Sequence, residues 1–376
     1  MVELGDVLTL SLAPQQVEPQ KSYPTLGVYG FGRGVITNKP AVNGHEIAAS
    51  TLFRVAPGQF IYSKLKAFEG AFAVVPEEAD GRFVTNEFPT FSCRDDRLCP
   101  KYLGWLFRRS DIWTKVSVES AGIGARRERL HPTDLLKFRI SLPPLNRQSQ
   151  LVKRLEEVST RLKSRAEAAE RQETELAAML GASFAQMIVD APRVPMADVA
   201  PLVRRPVKVI PDQRYDELGV RSFGKGTFHK PALSSLDIGN KRIFRIDAGD
   251  LIFSNVFAWE GAIAIARPED VGRVGSHRFI TCIADRRRIA AEILRFFFLT
   301  KEGLGLIGQA SPGGAGRNRT LGLEALGAIR VPVPSLEAQR WFNNLHAKVA
   351  EVRSHQAAIA GDANGLLPAM LAQIFG

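Results

Sequence analysis

The chain repeats itself at a spacing of 191 to 192 residues, and this duplication restricts the fold more than any other feature: whatever one half forms, the other must form again. At a shift of 192, Val2, Asp6 and Val7 align with Val194, Asp198 and Val199, and LGVYGFGRGV from Leu26 aligns with LGVRSFGKGT from Leu218. After a one-residue deletion, FIYSKLKAFEGAFAV (60–74) aligns with LIFSNVFAWEGAIAI (251–265), identical at seven of fifteen positions. The register then carries Arg126 onto Arg317, Leu130 onto Leu321, and Arg139, Pro143, Leu145 and Gln148 onto Arg330, Pro334, Leu336 and Gln339. A period this long is a duplicated domain with its following segment, not a solenoid of short repeats.

Within each copy, short runs rich in Val, Ile and Phe are punctuated by Gly, Pro and Asn, which predicts strands and turns; FIYSKL and GAFAVV are examples. A short helix is expected at PKYLGWLFRR from Pro100 and at AEILRFFFLT from Ala291, each followed by a Gly-rich loop and a strand that ends in prolines. From Leu145 to about Ile188 there is no proline, little glycine and much Glu, Arg, Ala and Leu, which predicts one long helix; a counterpart starts at Leu336. The expected organisation is therefore a globular half at 1–144, a helix at 145–190, a second globular half at 191–335 and a second helix at 336–376. Apolar residues at alternating four-and-three spacing mark a seam on each helix. The first runs through Leu151, Leu155, Val158 and Leu162 toward Ala169, Leu176 and Met179, and the second through Leu345, Val349, Val352, Ile359 and Leu366. Helices of some 40 residues span about 60 Å, too long merely to cap a small domain, so the two are expected to pair with each other. If the halves are related by a pseudo-twofold, they pair antiparallel.

Lys and Arg number 50 against 39 Asp and Glu, a net charge of +11, which favours a polyanionic partner. Cys93, Cys99 and Cys282 are too few and too unevenly spaced for a disulfide framework or a four-ligand zinc site, and the six histidines form no metal-binding pattern. The first residues, MVELGDVLTLSL, lack the charged and apolar regions of a signal peptide, and no membrane span is evident, so a soluble cytoplasmic protein is expected. GVRSFGKG approaches a phosphate-binding loop through Gly219, Gly224 and Lys225. Gly226, however, occupies the place of the magnesium-binding hydroxyl residue, and the first copy has Arg33 for the lysine. Glu69 and Glu260 have no partner acid, base or ligand in the pattern and read as structural groups of a turn.

Two basic stretches recur in both copies. The Gly-rich turn carries Arg33 and Lys39 in one and Lys225 and Lys230 in the other, placed to approach a phosphate backbone. The loop SAGIGARRERL carries Arg126, Arg127 and Arg129, and QASPGGAGRNRTL carries Arg317 and Arg319; the guanidinium fork suits guanine edges or phosphates.

Taken together, the duplicated LGVYGFGRGV/LGVRSFGKGT and FIYSKL/LIFSNV blocks, and the junction LPPLNRQSQLVKRL with its Pro-Leu-x-x-Gln element, resemble the specificity subunits of type I restriction-modification systems over nearly the whole chain. The resemblance implies an α+β fold of two target-recognition domains joined by two long helices in an antiparallel coiled coil. It implies that each domain reads one part of a split site in double-stranded DNA while the helices set the unread spacer. It further implies a non-catalytic subunit without cofactors, recruiting two methyltransferase subunits that use S-adenosylmethionine and restriction subunits that use ATP and Mg. The second junction, VPSLEAQRWF, departs from the pattern. A specificity protein of a methylation-only or other phage-defence complex, and a coiled-coil scaffold that binds proteins at its globular ends, are the alternatives.

Overall fold

The computed structural model describes residues 1–120, 129–313 and 319–376. By internal contacts the chain divides into two compact units, residues 1–169 with 357–376, and residues 170–356. Each unit thus joins one globular half to a segment of both long helices.

The first unit is built on a four-stranded antiparallel sheet in the order Phe72–Val74, Phe60–Tyr62, Thr90–Cys93, Leu8–Leu10. The second repeats it with Ile263–Ile265, Leu251–Ser254, Phe279–Cys282 and Leu202–Val203. Register repeats as well: Phe72 lies opposite Tyr62, and Ile263 opposite Phe253. The central strands Phe60–Tyr62 and Leu251–Ser254 are short and buried throughout, so their apolar runs carry no polar alternation. The expected helices form at Pro100–Leu106 and Ala291–Leu299, and each is followed by a second helix where a Gly-rich loop is expected to begin, Ser110–Ser120 and Lys301–Gln309. Cys282 is buried and Cys93 half-buried, and burial pushes both thiols up to about 12.

The long helices run over Leu145–Ile188 and Leu336–Phe375. Each is tied to its globular half by one buried glutamine at its first turn. Gln148, with no exposed surface, donates from Nε2 to the carbonyls of Arg97 (2.8 Å) and Pro143 (2.7 Å) and accepts the Cys99 N–H at 2.8 Å. Gln339 does the same with Arg288 (2.9 Å), Pro334 (2.8 Å) and the Ala290 N–H (2.8 Å). The Pro-Leu-x-x-Gln element is therefore a clamp that satisfies the backbone groups before a short helix with a side chain of the long one.

In the second unit the helix segments run antiparallel. Phe184 meets Phe342 with ring centroids 5.1 Å apart, Glu173 takes a bidentate pair of hydrogen bonds from Arg353 (2.9 and 2.6 Å), and Gln172 accepts from Gln356 at 2.6 Å. In the first unit, Val152 and Leu155 share a core cluster with Leu371, flanked by Leu151, Leu367, Met370 and Ile374. Val158 and Leu162 are half-buried, as is Leu345, while Val349 is buried.

The second seam departs from its expected path. Val352, Ile359 and Leu366 are 36%, 41% and 46% exposed, and Met179 on the first helix is 40% exposed whereas Leu180 is buried. After Val349 the inward face steps by four residues to Arg353 and then to Gln356, whose partners are polar; a search for apolar residues alone passes over them. The Arg353–Glu173 pair is well exposed and contributes under about 1 kcal/mol, so it fixes register more than it stabilises.

Candidate nucleic-acid interface

The duplicated Gly-rich turn closes a tight hairpin in each unit. In the first it joins Gly27–Val28 to Val35–Ile36, and in the second Leu218–Val220 to Thr227–His229. At its tip the backbone turns left-handed: Phe31 has φ 61°, Gly32 63° and Gly34 87°, and the second copy repeats this at Phe223 (60°), Gly224 (65°) and Gly226 (79°). Glycine is required at 32, where a β-carbon would meet the Arg108 backbone at 2.8 Å. Phenylalanine is not required at 31 or 223, and its left-handed conformation costs about 1–2 kcal/mol.

The tip is docked on a second turn. The Phe31 and Gly32 N–H groups donate to the carbonyls of Glu69 (2.6 Å) and Gly70 (2.9 Å), and those of Phe223 and Gly224 donate to Glu260 and Gly261, both at 2.8 Å. Glu69 and Glu260 thus serve the turn through their carbonyls, and the Glu260 carboxylate also accepts from the Ser222 hydroxyl at 3.0 Å. The chain leaving the arginine-rich loop returns to the same place: Leu130 donates to the Lys64 carbonyl (3.0 Å) and Leu321 to that of Asn255 (2.8 Å). In each unit the described end of the second basic stretch, Arg129–Leu130 or Arg319–Leu321, therefore lies beside the turn that receives the tip of the first.

Arg33 is exposed, with its guanidinium 5.0 Å from the Tyr29 ring and 5.8 Å from that of Phe31, and its Nε donates to the Gly30 carbonyl. Lys225 is exposed and stands 5.9 Å from the Phe223 ring. Arg319 lies 5.4 Å over Trp259, on the turn that receives Phe223. Stacking of this kind holds long cations in place with their donors facing outward. Lys39 is exposed and folds back over Gly27. Lys230 is committed to Glu217 at 3.1 Å, which makes it the poorest phosphate ligand of the set. Arg129 is exposed; Arg126, Arg127 and Arg317 lie outside the described residues.

Sequence reasoning missed the aromatic component: Tyr29, Phe31 and Phe68 in the first unit, 37%, 64% and 52% exposed, and Phe223 in the second at 75%. It also missed Arg221, stacked 4.7 Å over Phe228, and Arg295, whose Nη2 donates to the Gly224 carbonyl at 2.6 Å. The available signal is a phenylalanine present in both copies before the same Gly-x-Gly, Gly32 and Gly34 in one and Gly224 and Gly226 in the other.

The two copies support this surface unequally. A β-carbon on Gly70, at φ 75°, would fall 2.3 to 2.6 Å from three atoms of the Trp113 ring, whereas on Gly261 it would meet the flexible end of Leu299 at 3.3 Å. Gly70→Ala should therefore cost about 2–4 kcal/mol, strain plus overpacking, and Gly261→Ala about 1–2 kcal/mol. Urea unfolding of the two variants measures this, and equal losses would show that Trp113 yields freely.

Among the described residues there is no cluster of three or more His, Cys, Asp or Glu side chains able to hold a metal, and no helix long and apolar enough to cross a membrane. No protein-family model matches the chain, and no curated protein matches it by sequence. Solved structures do match. The HsdS subunit from Thermoanaerobacter tengcongensis aligns over 100% of this chain and 95% of its own, at 17% identity and a TM-score of 0.60. A chain from a structure addressing complex assembly and conformational transition of the type I R-M system aligns over 100% and 96%, at 19% identity and a TM-score of 0.68. The type I restriction-modification S subunit from M. genitalium aligns over 100% and 95%, at 12% identity and a TM-score of 0.50. Over its whole length the chain has the fold of these proteins: two similar α+β halves of short strands and two long helices that pair.

Proposed function

We propose that this chain is the DNA-specificity subunit of a type I restriction-modification system. Each unit reads one part of a split site in duplex DNA, and the paired helices set the spacer between the parts. The observation that carries this reading is the repetition: the same basic, aromatic-bearing surface is built twice on a fold shared end to end with solved S subunits. Lys and Arg on that surface orient each unit on the phosphates, and a few side chains discriminate bases. The subunit catalyses nothing itself; methyltransferase subunits holding S-adenosylmethionine, and restriction subunits using ATP and Mg, act where it directs them.

The test is the pattern of methylated adenines in a host that expresses the chain with its methyltransferase subunits. A split motif with a fixed spacer is expected, together with duplex binding that falls steeply as salt rises. A continuous short motif, or binding indifferent to salt, would sink the reading.

A further inference from the structure

Phe31 and Phe223 combine three properties that the fold itself does not require. Both hold a left-handed backbone, which glycine adopts freely and a bulky side chain does not. The other non-glycine residue with positive φ among the described residues is Asp212, whose short polar side chain suits that region. Both rings are also largely in solvent, 64% and 75% exposed; Phe31 leans edge-on against Trp113, ring centroids 6.4 Å apart, a contact that leaves most of its ring uncovered. Finally, both recur at one position of a duplicated turn that keeps its glycines, Gly32 and Gly34 as Gly224 and Gly226, but changes its other exposed side chains, Tyr29 to Arg221 and Arg33 to Lys225.

A strained, exposed apolar group kept twice is explained by a contact outside the chain. Its surroundings say what kind. Each ring has a cation beside it, Arg33 at 5.8 Å and Lys225 at 5.9 Å, and in the second unit Arg319 stands over Trp259 on the turn beneath. An apolar ring framed by cations fits a polyanion with apolar surface between its charges. Duplex DNA is such a ligand, with phosphates along the rim and base edges, including thymine methyl groups, in the groove.

We propose that Phe31 and Phe223 are base-contacting specificity residues, one for each half of the split site, with Arg33 and Lys225 anchoring the adjacent phosphates. This rests on the DNA-reading function proposed above. The backbone strain at these tips is retained for that contact.

Glycine replacement separates contact from fold, because it removes the ring and relieves the strain together. In the full chain, Phe31→Gly and Phe223→Gly should leave the thermal midpoint unchanged or raise it. Affinity for a duplex bearing the chain's own methylation site should fall about tenfold or more, and affinity for an unrelated duplex should change less than about twofold. In methylated-adenine maps, each variant should relax base preference in one half of the motif, a different half for each. Unchanged affinity and motif, equal loss on both duplexes, or a lowered midpoint would each overturn the assignment. If the unmodified chain prefers no duplex, the DNA-reading function fails, a result visible before any variant is made.

Discussion

Replacing Gln148 by leucine is expected to destabilise the first unit by about 3–5 kcal/mol, a loss far larger than for any exposed residue of the same helix. Leucine fills the space but leaves the Cys99 N–H and the carbonyls of Arg97 and Pro143 buried without partners, each at about 1–3 kcal/mol before relaxation. Gln339→Leu should cost the second unit about as much for the same reason. The nearby Gln150 is exposed, and its replacement by alanine should change stability by less than about 0.5 kcal/mol. Urea denaturation of the four proteins decides the matter; a Gln148 variant as stable as the Gln150 variant would mean that water replaces the lost bonds. The consequence reaches function, because these two side chains join each globular half to its long helix. A variant that survives folding should bind each half-site nearly normally yet lose the preference for one fixed spacer.

What the sequence made legible is what periodicity and duplication encode. The repeat, the short helices at 100 and 291 and the start of both long helices at Leu145 and Leu336 need only composition and spacing. The path of the second seam was not legible, since it depends on Arg353 and Gln356 facing polar partners on the other helix, and a hydrophobic pattern is blind to these. The return of Leu130 and Leu321 to the turn beside the Gly-rich hairpin is equally hidden: it rests on single backbone hydrogen bonds, which no residue type announces. The charge of Lys230 is plain in the sequence but its commitment to Glu217 is not, because pairing across a hairpin follows from register. Phe31 and Phe223 were visible as letters in both copies, while their positive φ and exposure were not.

The two Gly-rich turns should also differ in their response to acid. In the second unit, Asp270 is fully buried and its carboxylate accepts from the Thr227 hydroxyl (2.7 Å), His229 Nε2 (2.9 Å) and the Arg267 N–H (2.9 Å), with the Arg267 guanidinium beside it. Burial by itself would raise the carboxyl, but the bonds from Arg267, Thr227 and His229 prevail and hold it well below the usual carboxylate range. Thr227 and His229 belong to the strand that leaves the Phe223 turn, so this group anchors the hairpin from below. At the aligned position the first unit has Ala79, also buried, and its hairpin has no such anchor there. A carboxyl depressed in the folded state stabilises fully above the unfolded value of about 4; its contribution begins to fall there and is lost completely only as pH drops through the depressed folded value. Asp270→Asn should therefore cost about 3 kcal/mol at neutral pH, since it leaves charged and hydroxyl donors facing a neutral amide. The cost should begin to shrink below about pH 4, where the wild-type chain starts to lose the same contribution. Stability curves of both proteins between pH 3 and 7 would show it as converging lines; parallel lines would mean that Asp270 contributes through shape rather than charge. The reading of one half-site is expected to weaken with this variant while the other, resting on the first unit, stays intact.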